Sequence, residues 1–223
     1  MKQFAVVLFV CVVPMFAASD AVKRLQESAD VVSEVMRTPD KAIPQDLLNK
    51  ADCMVVVPGV KKAAFIVGAK YGRGFITCRN ADGAGWSAPG GVRVEGGSFG
   101  FQIGGSETDV VMLIMNRRGA EKLMSSKFTL GADASVAAGP VGRTSSADTD
   151  AFMHAEILTW SRSRGVFAGL ALNGATLRPD DDTNRDLYGS AMTERDIVFG
   201  NTHPPAGARP LLTELNRYSS RKG

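Results

Sequence analysis

The sequence predicts an α+β fold: a strongly curved, glycine-rich antiparallel β-sheet or partial barrel packed with N-terminal, middle and C-terminal helices. Three observations carry this reading. Amphipathic helical patterns stand at both ends of the chain and once in the middle. Between them run short β-branched and aromatic segments punctuated by glycine. No internal repeat or linker divides them, and a chain of 223 residues holds one sizeable core and hardly two.

Residues 22–37 place Leu25, Ala29, Val32, Val35 and Met36 on one face at helical spacing, and Thr38-Pro39 ends that helix. A second, shorter helix is expected at 44–51, opened by Pro44 and turning Leu47 and Leu48 inward. From Cys53 to Ile114 the character changes to β: CMVVVP, AAFIVGAKYG, GFITCR, GWSAPGGVRVEGGSFGFQIGG and DVVMLIMN read as strands, with glycines at bulges, turns or close backbone approaches. The middle helix is expected at 117–124, followed by a small-residue strand over 129–140 and a polar loop over 143–150. Two further strands follow, EILTWSRS and GVFAGLALNGATLRP, with Arg162 to Gly165 as the turn between them. Helices close the chain at 180–188, at 193–199 with Thr193 as cap, and from Arg209 to Tyr218.

Residues 1–21 have the parts of a secretory signal peptide: a lysine, an unbroken apolar run from Phe4 to Val13, and small residues at Ala17, Ala18, Ser19 and Ala21. That run is well short of the roughly 20 residues a membrane-crossing helix needs. The expected organisation is therefore a signal peptide at 1–21, with cleavage nearer Ala18 as the alternative, and a single domain over 22–223, exported to the periplasm. In that compartment Cys53 and Cys78 form a disulfide or remain two buried thiols; their spacing gives no metal site. A formal charge of +3 is compatible with several anionic partners and chooses none, while export argues against nucleic acid.

The motifs that suggest catalysis fail on their surroundings. Gly96-Gly97-Ser98-Phe99-Gly100 satisfies the pattern of a hydrolase nucleophile elbow, but β sequence continues after it where a helix is required. Only His154 and His203 could serve Ser98 as a base. Gly68 to Gly74 lacks the spacing of a phosphate loop, and Asp180-Asp181-Asp182 lacks that of a calcium loop and reads as a solvated helix start. No cofactor or metal is expected. Gly139 to Ser146, with Arg143, reads as a structural turn, with an anion-binding nest as the functional alternative. Basic residues cluster at Lys61-Lys62, Lys70 and Arg73, and again at Arg117-Arg118, beside apolar tips such as Phe65, Tyr71 and Phe75. That is the pairing an anionic interface rewards.

The blocks Val57 to Gly74, Trp86-Ser87-Ala88-Pro89, Ser98 to Gly104, Leu130 to Arg143 and Ser161 to Gly169 together resemble the SYLF domain, in order and spacing, over about residues 22–215. Where that family often has a tyrosine pair, this chain has Leu187-Tyr188-Gly189. The resemblance implies a lipid-binding module. Eukaryotic members bind phosphoinositides, and some fungal ones actin, joined to SH3 or FYVE domains, whereas bacterial members are exported and stand alone. A chain with a signal-like start then looks like a bacterial envelope protein. The resemblance places its basic surface, with an amphipathic N-terminal helix, at Lys23, Arg24, Lys61, Lys62, Lys70 and Arg73. The expected function is non-catalytic, peripheral binding of anionic phospholipid, with Arg117, Arg118 and Arg143 as further candidates. The alternatives are an envelope protein that binds another protein and a serine hydrolase using Ser98.

Overall fold

The computed structural model describes residues 18–38, 42–65, 67–99, 104–124, 127–139, 155–163, 166–167 and 174–219. Helix α1, Asp20–Arg37, starts where the Ser19 hydroxyl accepts the Val22 N–H. Its periodic face is buried at Leu25, Ala29, Val31, Val32 and Val35, as the helical spacing requires. Helix α2, Gln45–Lys50, is short and buries Leu48.

Two long hairpin arms follow: β1, Cys53–Phe65, and β2, Val67–Cys78, then β3, Gly90–Phe99, and β4, Gly104–Ile114. The remaining strands are β5, Phe128–Thr129, β6, Val136–Ala138, β7, Ile157–Ser163, β8, Val166–Phe167, and β9, Thr176–Pro179. They form one sheet in the order β5-β9-β3-β2-β1-β4-β7-β6, with β8 on β7. Every described pairing is antiparallel except β6 on β7. The curved α+β sheet flanked by terminal helices is the architecture the sequence predicts.

One expected strand proves to be the ends of two, with a reversal between them. AAFIVGAKYG was read as one strand, yet Phe65 pairs with Val67, so the chain reverses inside its most apolar stretch. The glycines serve at a bulge and a close approach, as the sequence predicts. One extra residue in β1 forms a bulge at Pro58-Gly59, where Gly59 takes φ +56° and donates its N–H to Asp109 Oδ1 at 2.9 Å. Gly74 lies so close to Val56 that a Cβ would strike its carbonyl oxygen.

The sheet has a core on each face, as alternating side chains dictate. One packs Met54, Val56, Phe75, Val111, Leu113 and Trp160 under α1 and the C-terminal helix. The other gathers Val55, Ile76, Val92, Met112, Phe128 and Leu177. Onto that second face pack α3, Arg117–Leu123, through Leu123, and α5, Glu194–Phe199, through Ile197 and Val198. Helix α4, Asp181–Tyr188, lies against β3. Helix α6, Arg209–Ser219, closes the first face through Leu211 and Leu215.

Asp180, expected at a solvated helix start, is instead buried and caps α4, accepting the Thr183 N–H and hydroxyl. Cys53 and Cys78 are partners in the β1–β2 ladder and their sulfurs are joined. Among the described residues no helix is long and apolar enough to cross a membrane.

Candidate functional site

The basic residues singled out in the sequence fall into separate regions. Lys61 and Tyr71 are partners across β1–β2, and Lys62 and Lys70 are the next pair outward. Because side chains alternate, the first pair belongs to the sheet face that carries α1 and the second to the opposite face. Two ammonium groups directly abreast repel, and the pKa of Lys70 is lowered by burial and by the charge of Lys62.

On the α1 side, a cleft of about 570 Å³ opens between α1 and the sheet. Arg24, Lys61, Arg73 and Arg162 line it, but so do Glu27, Asp30 and Glu34 from α1 and Glu107 and Asp109 from β4. Its cations are matched by carboxylates. Arg162 pairs with Glu34 and lies 3.1 Å from Asp109. Arg73 lies 3.1 Å from the buried Asp180, and its Nε donates to the Tyr71 hydroxyl at 2.8 Å. Lys61 stands opposite Glu107 in the β1–β4 ladder. The cleft suits a partner carrying both signs of charge better than a simple anion.

Other candidates lie elsewhere. Lys23 is exposed on α1, 3.9 Å from Asp20. Arg117 and Arg118 are exposed on α3, with Arg117 over the Phe199 ring at 4.5 Å and beside a cleft of about 590 Å³ that also reaches Trp86 and His203. Arg143 and His154 lie outside the described residues. Ser98 sits within β3, paired with Gly68, and the next described element is the strand β4, so among the described residues no strand-to-helix elbow is met. Among the described residues no group of His, Cys, Asp and Glu is placed to hold a metal.

The sequence reading missed a row of arginines. Arg73, Arg93 and Arg178 stand abreast on β2, β3 and β9, and Glu95 bridges Arg93 at 3.2 Å and Arg178 at 3.7 Å. The alternation of Arg93 and Glu95 was visible in the sequence, but which strands would lie beside β3 was not.

The N-terminal helix also departs from the expectation. Its apolar face is spent inside the protein, packed on the sheet and α6, so it has no apolar face to offer a bilayer.

With the fold and these surfaces in view, the comparisons are informative. The family model described as "Ysc84: Las17-binding protein actin regulator" matches residues 95–218, more than half of the chain. The chain belongs to this Ysc84 family, in agreement with its SYLF resemblance. It is 35% identical over 205 residues to the SH3 domain-containing YSC84-like protein 1 of Rattus norvegicus, covering 92% of this chain and 59% of that protein. The same figures hold for the protein of that name in Homo sapiens. It is 34% identical over 180 residues to the LAS seventeen-binding protein 3 of Saccharomyces cerevisiae, covering 79% of this chain and 39% of that protein. The chain thus spans well under two thirds of the length of these relatives.

The matches correct the expected setting. They are eukaryotic proteins, several of them SH3-bearing by name, which overturns the assignment to a bacterial, exported, stand-alone envelope protein and with it the signal-peptide and periplasmic readings. Ser19 caps α1 and Ala21 is buried in the core, so the folded domain begins before Ala21. The non-catalytic reading stands, since the family is one of interaction modules.

Proposed function

We propose that the single domain expected over 22–223, extended back to the Ser19 cap, is a non-catalytic module that docks on anionic phospholipid surfaces. The observation that supports this is the cross-strand pair Lys62–Lys70, with Lys61 beside it, near one end of the sheet. Two lysines held abreast by a rigid ladder concentrate positive charge at one place, which an anionic surface attracts, and the attraction weakens with salt. The test is co-sedimentation of the full chain with phosphatidylcholine vesicles, with and without phosphatidylserine, at low and physiological salt. Binding only to the anionic vesicles, weakened by salt and lost in Lys62→Glu/Lys70→Glu, is the expected result. Arg117→Glu/Arg118→Glu, on the distant helix α3, leaves it unchanged. Vesicle binding indifferent to the lysine reversal refutes the reading.

A protein partner is the second reading, favoured by the matched charges of the cleft between α1 and the sheet. The printed names of the family and of its yeast relative also speak of binding a protein. Failure to bind any vesicle, with one protein co-purifying in a manner sensitive to changes at Glu27 and Asp30, moves the function there.

A further inference from the structure

Beyond the Lys62–Lys70 pair, the four central strands continue outward without a single charged residue. The next ladder row is Gly97–Ala69–Ala63–Gly105, the row after it Ser98–Gly68–Ala64–Gly104, and at the end stand Phe99, Val67 and Phe65. Ala69 and Gly97 are exposed. From Lys62 to Phe65 is three residues, or about 10 Å at the rise of a β-strand.

Two further observations concern the same end. The β1–β2 reversal falls between Phe65 and Val67, within the run Ala-Ala-Phe-Ile-Val, whereas turns that face water are built from Gly, Pro, Asn, Asp and Ser. Behind the charge-free rows, Tyr71 is 45% exposed, the one large hydrophobic side chain so exposed among the described residues. It lies one row behind Lys62 and Lys70. An apolar tip followed by a lysine pair and, within one row of it, an exposed tyrosine matches the order met on leaving a bilayer: the acyl boundary, then the headgroup level, where cationic side chains and amphipathic rings both settle.

We infer that this end of the sheet, with Phe65, Val67 and Phe99 leading, enters the bilayer end-on while Lys62, Lys70 and Tyr71 sit at the headgroups. This rests on the lipid-docking reading and adds the inserting element and its direction. A depth of about 10 Å is that reached by elements lying in the boundary between headgroups and acyl chains, so the protein is held peripherally. The helix α1 takes no part, because its apolar face is already packed in the core.

The experiment introduces one tryptophan at a time, Phe65→Trp or Phe99→Trp, in the full chain. Trp86 and Trp160 are buried and supply a constant background. Emission is read with phosphatidylcholine–phosphatidylserine vesicles and with the same vesicles carrying brominated acyl chains. The expected result is a blue shift and quenching of the added tryptophan at both positions. The double variant Phe65→Glu/Phe99→Glu should lose roughly tenfold or more in vesicle partitioning with an unchanged circular dichroism spectrum. Should that double variant fail to fold, the tryptophan variants decide alone. Co-sedimentation with neither added tryptophan shifted nor quenched overturns the end-on insertion and leaves lipid docking standing. Absence of vesicle binding by the unmodified chain overturns both.

Discussion

Glu194 opens helix α5 with a carboxyl group buried in the protein, and its replacement by glutamine tests the largest electrostatic perturbation among the described residues. Asn184 donates from Nδ2 to Glu194 Oε2 at 2.7 Å and accepts the Gly91 N–H at 2.6 Å, so the side chain ties α5 through α4 to the start of β3. Gly90 is packed so closely that a Cβ there would run into the carboxyl group. Burial pushes the Glu194 pKa from 4.5 up to about 8, with Asp181 and Asp180 adding to the rise and the Asn184 hydrogen bond opposing it. The folded protein therefore keeps a proton that the unfolded chain has released. This contribution is fully present below the unfolded value, declines as pH rises, and is lost above the folded one. The slope is about −1.4 kcal/mol per pH unit inside the window and flattens near its upper end, so the loss from about pH 6 to about pH 8 is roughly 2 kcal/mol. Tyr188, also raised by burial and by Glu194, titrates above this window. Urea unfolding across that range should show the decline in the unmodified protein and a flat profile in Glu194→Gln, which keeps an acceptor for Asn184. Parallel profiles for the two proteins refute the assignment of the slope to Glu194.

Two other changes test the framework. The Cys53–Cys78 bridge closes a separation of 25 residues, and loop-closure entropy puts its contribution at about 3 kcal/mol; reductant should lower the urea midpoint of the unmodified protein and leave Cys53→Ala/Cys78→Ala unmoved, and no response to reductant contradicts this. Arg79 donates to the Ser219 carbonyl at 2.5 Å and to the Leu48 carbonyl at 3.1 Å while stacked 3.9 Å over Trp86, so Arg79→Met should cost about 3 kcal/mol and speed hydrogen exchange in α6 before the sheet, whereas unchanged protection in α6 excludes Arg79 as its clamp.

The helices were legible because their information is local. The period of Leu25, Ala29, Val32 and Val35 fixed the buried face of α1, and the hydroxyl of Thr193 does accept the Asp196 N–H as a cap. The sheet was legible in composition but not in layout. Glycine marks a bulge at Gly59 and a close crossing at Gly74, as expected, but the β1–β2 reversal falls in an apolar run that carries no turn signal. Pairings such as Arg93 with Arg178, or Lys62 with Lys70, depend on strand order and register, which nothing in the sequence near those residues encodes. The same holds for Asp180, whose buried carboxylate pairs with Arg73 on another strand.

Register also decides how the two candidate surfaces relate. Lys61 and Tyr71 share the face of the cleft with α1, while Lys62 and Lys70, one residue on, point to the other side of the sheet. A bilayer meeting the sheet end-on therefore touches the outermost rows of both faces and stops near Tyr71. Glu95 and Glu107 stand in the ladder row of Lys61 and Tyr71, one row behind the lysine pair, and the carboxylates of Glu27, Asp30 and Glu34 lie on α1 along the cleft; an anionic surface repels all of them. The row of Glu95, Tyr71, Lys61 and Glu107 therefore sets the limit of an end-on approach, because its carboxylates oppose any deeper entry. A flat approach through α1 would press the carboxylates of that helix against the headgroups, and its apolar face, already packed beneath the helix, could offer nothing to offset that repulsion.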